Sequence, residues 1–164
     1  MAWTRTWLAL AVLAGVAALG CSGAASGGPA LATPVATLSR SDDGLGGVAV
    51  EAVWVSAEHL VEMGDTVPRA FSTGNYVLLH LKLDTHSVNL VGYDLPRLAA
   101  LEDTAGRSIA AAEWVSIKED SHHREGLLAL PGESNEAWAV RQREAHLRLH
   151  DIAGVPERTF RWQF

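Results

Sequence analysis

The sequence predicts an all-β fold, an immunoglobulin-like antiparallel β-sandwich of about seven strands. Beyond residue 47, apolar and polar residues alternate in short segments, which is the spacing of a half-buried strand. Clusters of Gly, Pro and Asp separate these segments, and no long stretch has the period of a helix. Together these features indicate two packed antiparallel sheets joined by turns.

The seven strands are expected at residues 48–55, 76–84, 97–102, 108–118, 126–130, 145–152 and 158–164. The second is the clearest, because four apolar residues fall on one face and His80, Lys82 and Asp84 fall on the other. Short helical turns are expected at residues 56–63 and 133–143. Three tryptophans are interpreted as core residues, with a sugar-binding platform as the alternative; they are Trp54, Trp114 and Trp162.

An export signal is predicted ahead of the folded domain, at residues 1–20. Residues 8–19 are free of charged and polar side chains, but the run is too short to span a bilayer. The stretch Ala18-Leu19-Gly20-Cys21 resembles a bacterial lipobox, which implies cleavage before Cys21 and attachment of a lipid to its thiol. Cleavage after Ala32 is the alternative, because Ala30-Leu31-Ala32 satisfies the small-residue rule of ordinary signal peptidase.

The mature chain is expected to have a lipidated cysteine and flexible linker at residues 21–47 and a β-sandwich domain at residues 48–164. The linker is rich in Ala, Gly, Ser, Thr and Pro and has too few large apolar residues to fold. The net charge of −6 argues against nucleic acid as a partner. The membrane is therefore expected as a partner only through the lipid, on the cell membrane or outer membrane, with the domain in the periplasm or extracellular space.

A set of motifs resembles a family of exported bacterial and archaeal proteins. The matching residues are Asp-Thr-His-Ser-Val at 84–88, Tyr-Asp-Leu at 93–95, Trp114, His-His-Arg-Glu-Gly at 122–126, Leu128, Leu-Pro at 130–131, Ile-Ala-Gly-Val-Pro-Glu-Arg at 152–158 and Arg-Trp at 161–162. The resemblance spans residues 76–164 and implies that these residues belong to one domain. It implies no activity.

Histidines are predicted to gather at one end of the sandwich. If each successive strand reverses direction, the connections at residues 85–96, 119–125 and 153–157 share one end, and those at 56–75, 103–107 and 132–144 share the other. Neutral imidazole is the commonest protein ligand for zinc and copper. We therefore hypothesise a copper or zinc site whose ligands are drawn from His86, His122, His123, His150, Asp84 and Asp151.

Two other interpretations of these histidines are open from the sequence, a polar network that ties loops together and a docking surface for a protein. No catalytic residue is predicted, because the sequence has no nucleophile elbow, phosphate-binding loop or metalloprotease helix. Opposite charges at Arg124-Glu125 and Glu157-Arg158 predict an ion pair between loops. The expected function is a non-enzymatic, membrane-anchored binding module; the alternative is an interaction or structural domain of the cell envelope that binds no metal.

Overall fold

The protein is described by a computed structural model over residues 38–42 and 44–164. The predicted signal peptide and Cys21 lie outside these residues. The nine strands of the described chain are β1 Ser39–Asp42, β2 Val48–Trp54, β3 Tyr76–Thr85, β4 Ala99–Glu102, β5 Ser108–Ala110, β6 Glu113–Glu119, β7 His123–Pro131, β8 Glu144–Ile152 and β9 Val155–Gln163. The α-helices are α1 Ala57–Met63, α2 Leu95–Leu98 and α3 Asn135–Gln142, and 3-10 turns cover Leu45–Gly47, Gly64–Thr66 and Arg69–Thr73.

The strands form two antiparallel sheets, which confirms the predicted all-β sandwich. The five-stranded sheet has the order β1-β2-β3-β7-β6, and the four-stranded sheet has the order β5-β4-β8-β9. Apart from β1, these are the A-B-E-D and C′-C-F-G orders of an immunoglobulin-like sandwich.

One predicted strand is divided between the two sheets. The segment expected as a single strand at residues 108–118 becomes β5 and β6, which run in the same direction. The change of sheet occurs between two neighbouring residues: the amide of Ala111 donates to Ala99 in one sheet, at 3.3 Å, and that of Ala112 donates to Ala129 in the other, at 2.9 Å. Because the direction of the chain does not change here, the predicted division of loops between the two ends still holds.

The strand β1 lies within the stretch predicted to be a flexible linker, which corrects that expectation for residues 38–42. It pairs with β2 from Ser39 opposite Val53 to Asp42 opposite Val50. The Trp162 indole also donates to the Leu38 carbonyl at 2.6 Å. Backbone pairing, polar contacts and the packing of Leu38 against the core order this segment. Leu38 is its one apolar residue, so no alternation indicated a strand.

The main core lies between the sheets and is built from the inward-facing residues of the alternating segments. Trp54, Trp138 and Trp162 are all buried in it, and the ring centroids of Trp54 and Trp162 lie 5.7 Å apart. Trp114 is partly buried against the same core. The interpretation of the predicted tryptophans as core residues is therefore confirmed.

Both predicted helical turns are present and begin at serine caps. Ser56 accepts a hydrogen bond from the His59 amide at 3.2 Å at the start of α1, and Ser134 accepts one from the Ala137 amide, also at 3.2 Å, at the start of α3. Within the residues described, no helix has the length and apolar character needed to cross a bilayer.

Candidate functional site

Four chain connections meet at one end of the sandwich, and we call this end the rim. Three of them are the loops predicted to meet: the Thr85 amide donates to His122 at 3.0 Å, the Leu90 amide donates to Ser121 at 2.9 Å, and the Ala153 amide donates to the Tyr93 hydroxyl at 3.0 Å. The fourth is the turn before β2, whose residue Gly47 accepts from the Thr85 hydroxyl at 2.7 Å. The predicted juxtaposition of distant loops is thus confirmed.

Arg124 holds one side of the rim in place. Its guanidinium donates to the carbonyls of Leu90 and Tyr93, at 3.1 and 2.6 Å, and contacts the Glu119 carboxylate at 2.8 Å. The guanidinium carbon also lies 5.5 Å from the centroid of the Trp114 ring, within the range of a cation–π contact. The loop between β3 and β4 is therefore fixed to β7 by a buried charge.

Arg158 does the same for the other side of the rim. Its side chain is 1% exposed and binds the Asp42 carboxylate at 2.7 Å, the Ile152 carbonyl at 2.8 Å and the Leu45 carbonyl at 2.5 Å. A planar guanidinium presents five donors in a fixed fork, so one side chain connects three separate segments. The predicted ion pair between Arg124-Glu125 and Glu157-Arg158 is therefore wrong, because Arg124 pairs with Glu119 and Arg158 pairs with Asp42.

Asp84 and His123 are the predicted site residues that come into direct contact. They lie opposite each other on β3 and β7, and His123 Nδ1 is 2.5 Å from Asp84 Oδ1. The loop before His123 is shaped by Asp120, which accepts from the amides of His122 and His123 at 2.8 Å each. These backbone donors lower the pKa of the Asp120 carboxyl.

His86 lies two residues after Asp84 and is exposed. Both residues line a shallow cavity of about 390 Å³, together with Gly44, Gly47, Ala49, Thr85 and Ser87. His86 therefore extends the polar surface that the pair of Asp84 and His123 begins.

The other predicted ligands are not assembled with this pair. His122 is exposed and lies 3.2 Å from the Ser121 hydroxyl, and His150 lies 3.8 Å from Glu157. Asp151 is exposed at a backbone position with a φ of 54°. Over residues 38–42 and 44–164, no group of three or more His, Cys, Asp or Glu side chains is arranged to hold a metal ion.

A second polar cluster was missed by the sequence reasoning. His80 was expected on the solvent-facing side of its strand, but it is 5% exposed and bonded to both His59 and Glu125. Alternation alone cannot show that an outward-facing residue is covered by another segment. The cap at Ser56 was the available signal, because it predicted a helix in the segment that connects this strand to the one before it.

Comparison of the chain with family models, with curated proteins and with solved structures gives no match in any of the three.

Proposed function

We propose that this protein is an exported, membrane-anchored lipoprotein whose sandwich is a non-enzymatic module that binds another protein of the cell envelope through its rim. The observation that carries this proposal is the fixing of three of the four rim connections by hydrogen bonds from the buried side chains of Arg124 and Arg158.

A fixed rim suits binding because loops that are already ordered lose less conformational entropy when they engage a partner. Burying a guanidinium is costly unless it is paired and hydrogen-bonded, and the sandwich core alone would not require one. Here the charges are used to hold the rim connections. Binding sites of sandwich domains commonly lie on such end loops.

The exposed side chains of the rim favour a protein partner. Leu45 is 55% exposed and Val91 is 51% exposed, and both lie on rim connections. Asp94 and Asp120 are exposed on connections of the same end. Apolar side chains surrounded by polar ones are the usual composition of a protein interface.

Site-specific photo-crosslinking in the intact cell envelope tests this proposal. A photoreactive residue at position 91 or 45 is expected to capture a discrete partner, and Val91→Asp is expected to abolish capture from position 45. Val61 and Val140, which are 80% and 78% exposed, lie on the helices away from the rim and provide matched control positions. Equal capture from the control positions, or none from the rim, would contradict the proposal.

The lipid anchor has its own test. Replacement Cys21→Ser is expected to shift the protein from the membrane fraction to the soluble fraction, because a lipid attached to Cys21 would be lost. Mass spectrometry of the native N-terminal peptide is expected to show the mass of Cys21 increased by that of the attached lipid. A mature chain that begins at Thr33 would contradict the anchor and support the alternative cleavage.

A metal ion is the second candidate ligand, and it is supported by the placing of Asp84 opposite His123, with His86 two residues further along the chain. Carboxylate and imidazole are both zinc ligands, and His86 would be the third ligand beside Asp84 and His123. Titration calorimetry with zinc and copper is expected to give heat that disappears in the His86→Ala, His123→Ala variant and persists in His146→Ala. No heat at micromolar metal would exclude this candidate.

A further inference from the structure

A segment of the chain covers part of the outer face of the five-stranded sheet. Residues 56–75, which we call the cover, contain α1 and two 3-10 turns. A second apolar cluster, separate from the main core, lies between the cover and the sheet: Phe71 of the cover packs with Val55, Leu78, Leu127 and Ala129. Leu60, Met63 and Val67 of the cover pack against this cluster.

A histidine pair joins the cover to the sheet. His59 of α1 and His80 of β3 approach through Nε2 and Nδ1 at 3.0 Å, and their ring centroids are 5.2 Å apart. On its other side, His80 Nε2 lies 2.9 Å from Oε1 of Glu125 on β7. His59 Nδ1 is buried without a hydrogen-bond partner, and the nearest carboxylate, that of Glu62, is 3.8 Å away.

These contacts assign the protons of the neutral pair. A carboxylate can only accept, so His80 Nε2 carries the hydrogen that Glu125 accepts, and His80 Nδ1 is left as an acceptor. His59 Nε2–H must therefore be the donor between the rings. His59 Nδ1 is then a bare acceptor, and it can take up one proton, next to Glu62, without breaking the bond to His80.

A second proton has only His80 Nδ1 to bind. It would place two N–H donors and two positive charges face to face at 3.0 Å, so the bond between the rings would be lost. Burial lowers the pKa of His80, and the neighbouring charges of His59 and Lys82 lower it further, while Glu125 opposes them. Other charged groups of this face are Glu62 on α1, Glu51 on β2, which lies 3.7 Å from Lys82, and Lys118 on β6, opposite Glu125. Glu113 lies further along β6, and Asp84 and His123 lie on the same face at the rim.

We propose that the His59–His80 pair is an acid-sensitive latch that holds the cover on the sheet and releases it when both rings are protonated. The cover is suited to local opening, because α1 has only seven residues and none of them is buried, and Phe71 is the large buried side chain of the cover that opening would expose. Release would expose the apolar cluster beneath. The latch lies on the outer face of the sheet and is independent of the function proposed for the rim.

The direction of the pH effect follows from the lowered pKa of His80. A group whose pKa is lower in the closed state than in the open state stabilises the closed state above the ordinary histidine pKa, which is about 6.5. This stabilisation is lost as the pH falls through the lowered value. The cover should therefore be closed at neutral pH and open in mild acid, while the main core remains folded.

Hydrogen exchange of the intact protein tests the latch, with rates corrected for the intrinsic effect of pH. Between about pH 7.5 and about pH 5, exchange in residues 57–71 is expected to rise about tenfold or more, since each proton taken up on opening gives a factor of ten per pH unit. Strands β8 and β9 serve as the internal reference. An unchanged cover, or an equal rise in β8 and β9, would overturn the proposal.

The variant His59→Gln tests whether a charge on the ring of His59 is needed for the cover to open. The side-chain amide of the variant does not titrate, can donate to neutral His80 Nδ1 and, when turned over, can accept from protonated His80, so protonation no longer breaks the contact and the rise in exchange should shrink to about threefold or less. His146→Gln, on the other sheet, should respond like the natural protein. A full acid response in His59→Gln would overturn the latch.

Ring ¹⁵N spectra of the natural protein give a measurement that does not depend on any variant folding. His80 should stay neutral until the cover opens, because burial lowers its pKa in the closed state. Protonation of His80 at or above the ordinary histidine pKa, with the cover still protected, would contradict the mechanism.

Discussion

Replacement of Arg158 by Met tests whether a buried charge holds the rim together. The variant keeps a long apolar side chain but removes a guanidinium that is bonded to Asp42, Ile152 and Leu45. The Asp42 carboxylate, whose side chain is only 14% exposed, would then lack its cationic partner.

The expected loss of stability follows from the groups left behind. Removing one partner of a buried ion pair costs about 3–5 kcal/mol. Asp42 keeps two backbone donors, the amides of Gly44 at 3.3 Å and Val50 at 3.1 Å, which compensate part of the loss. We therefore expect the free energy of unfolding to fall by about 3–4 kcal/mol, and the melting temperature to fall by about 10–15 °C for a domain of this size.

Urea unfolding followed by tryptophan fluorescence measures this change, because Trp54 and Trp162 are buried in the core. Arg161→Met is the matched control: it lies on the same strand, is exposed, and should change the stability by less than about 0.5 kcal/mol. Arg158→Lys keeps the charge but not the fork and should fall between the two.

A double-mutant cycle separates the ion pair from the loss of packing. If Asp42 is destabilised by the missing guanidinium, Asp42→Asn combined with Arg158→Met should cost less than the sum of the two single changes. A loss below about 1 kcal/mol in Arg158→Met, with an unchanged dependence on urea, would refute the assignment of Arg158 as the residue that fixes the rim.

Three further changes probe the fold around the rim and the cover. Gly126→Ala should cost about 1–3 kcal/mol by urea unfolding, because a Cβ would lie 2.4 Å from the Val115 carbonyl and 2.6 Å from the Trp114 ring. Asn135→Ala should cost about 1–3 kcal/mol by the same measurement, since it leaves the buried Leu78 amide, now 2.8 Å from Asn135 Oδ1, without an acceptor. Ser56→Ala should speed hydrogen exchange in the cover by removing the cap of α1, at a cost of about 1 kcal/mol, and leave β8 unchanged.

The sandwich could be predicted from the sequence because a strand that buries one face between two sheets has alternating apolar and polar residues. Val77, Leu79 and Leu81 are nearly fully buried, as their spacing indicated. The same rule made His80 an exposed residue, and that prediction was wrong because the cover lies over it. Whether the outer face of a sheet is covered depends on a segment elsewhere in the chain, so the strand itself carries no sign of it.

The candidate site was predicted in its location and only partly in its members. Reversal of strand direction brought Asp84 and His123 to the same end, where they are in contact. It could not specify side-chain direction within loops, and His122 turned out to be exposed beside Ser121. The actual partners of Arg124 and Arg158 could not be predicted either, because most of them are backbone carbonyls, which every residue possesses.

The buried polar residues contribute to the fold in a different way from the apolar core. Leucines and tryptophans between the sheets would stabilise many related sandwiches, since hydrophobic packing has little directional preference. Arg124, Arg158 and His80 instead each bind a segment outside the strands: a loop, a turn or the cover. A buried polar group that loses its partner is penalised, so these contacts favour one arrangement of the connections over the alternatives that the core would allow. The same penalty makes them sensitive to change, and this is why we expect the rim to be held firmly by the arginines while the cover, held through a pair of histidines, can respond to acid.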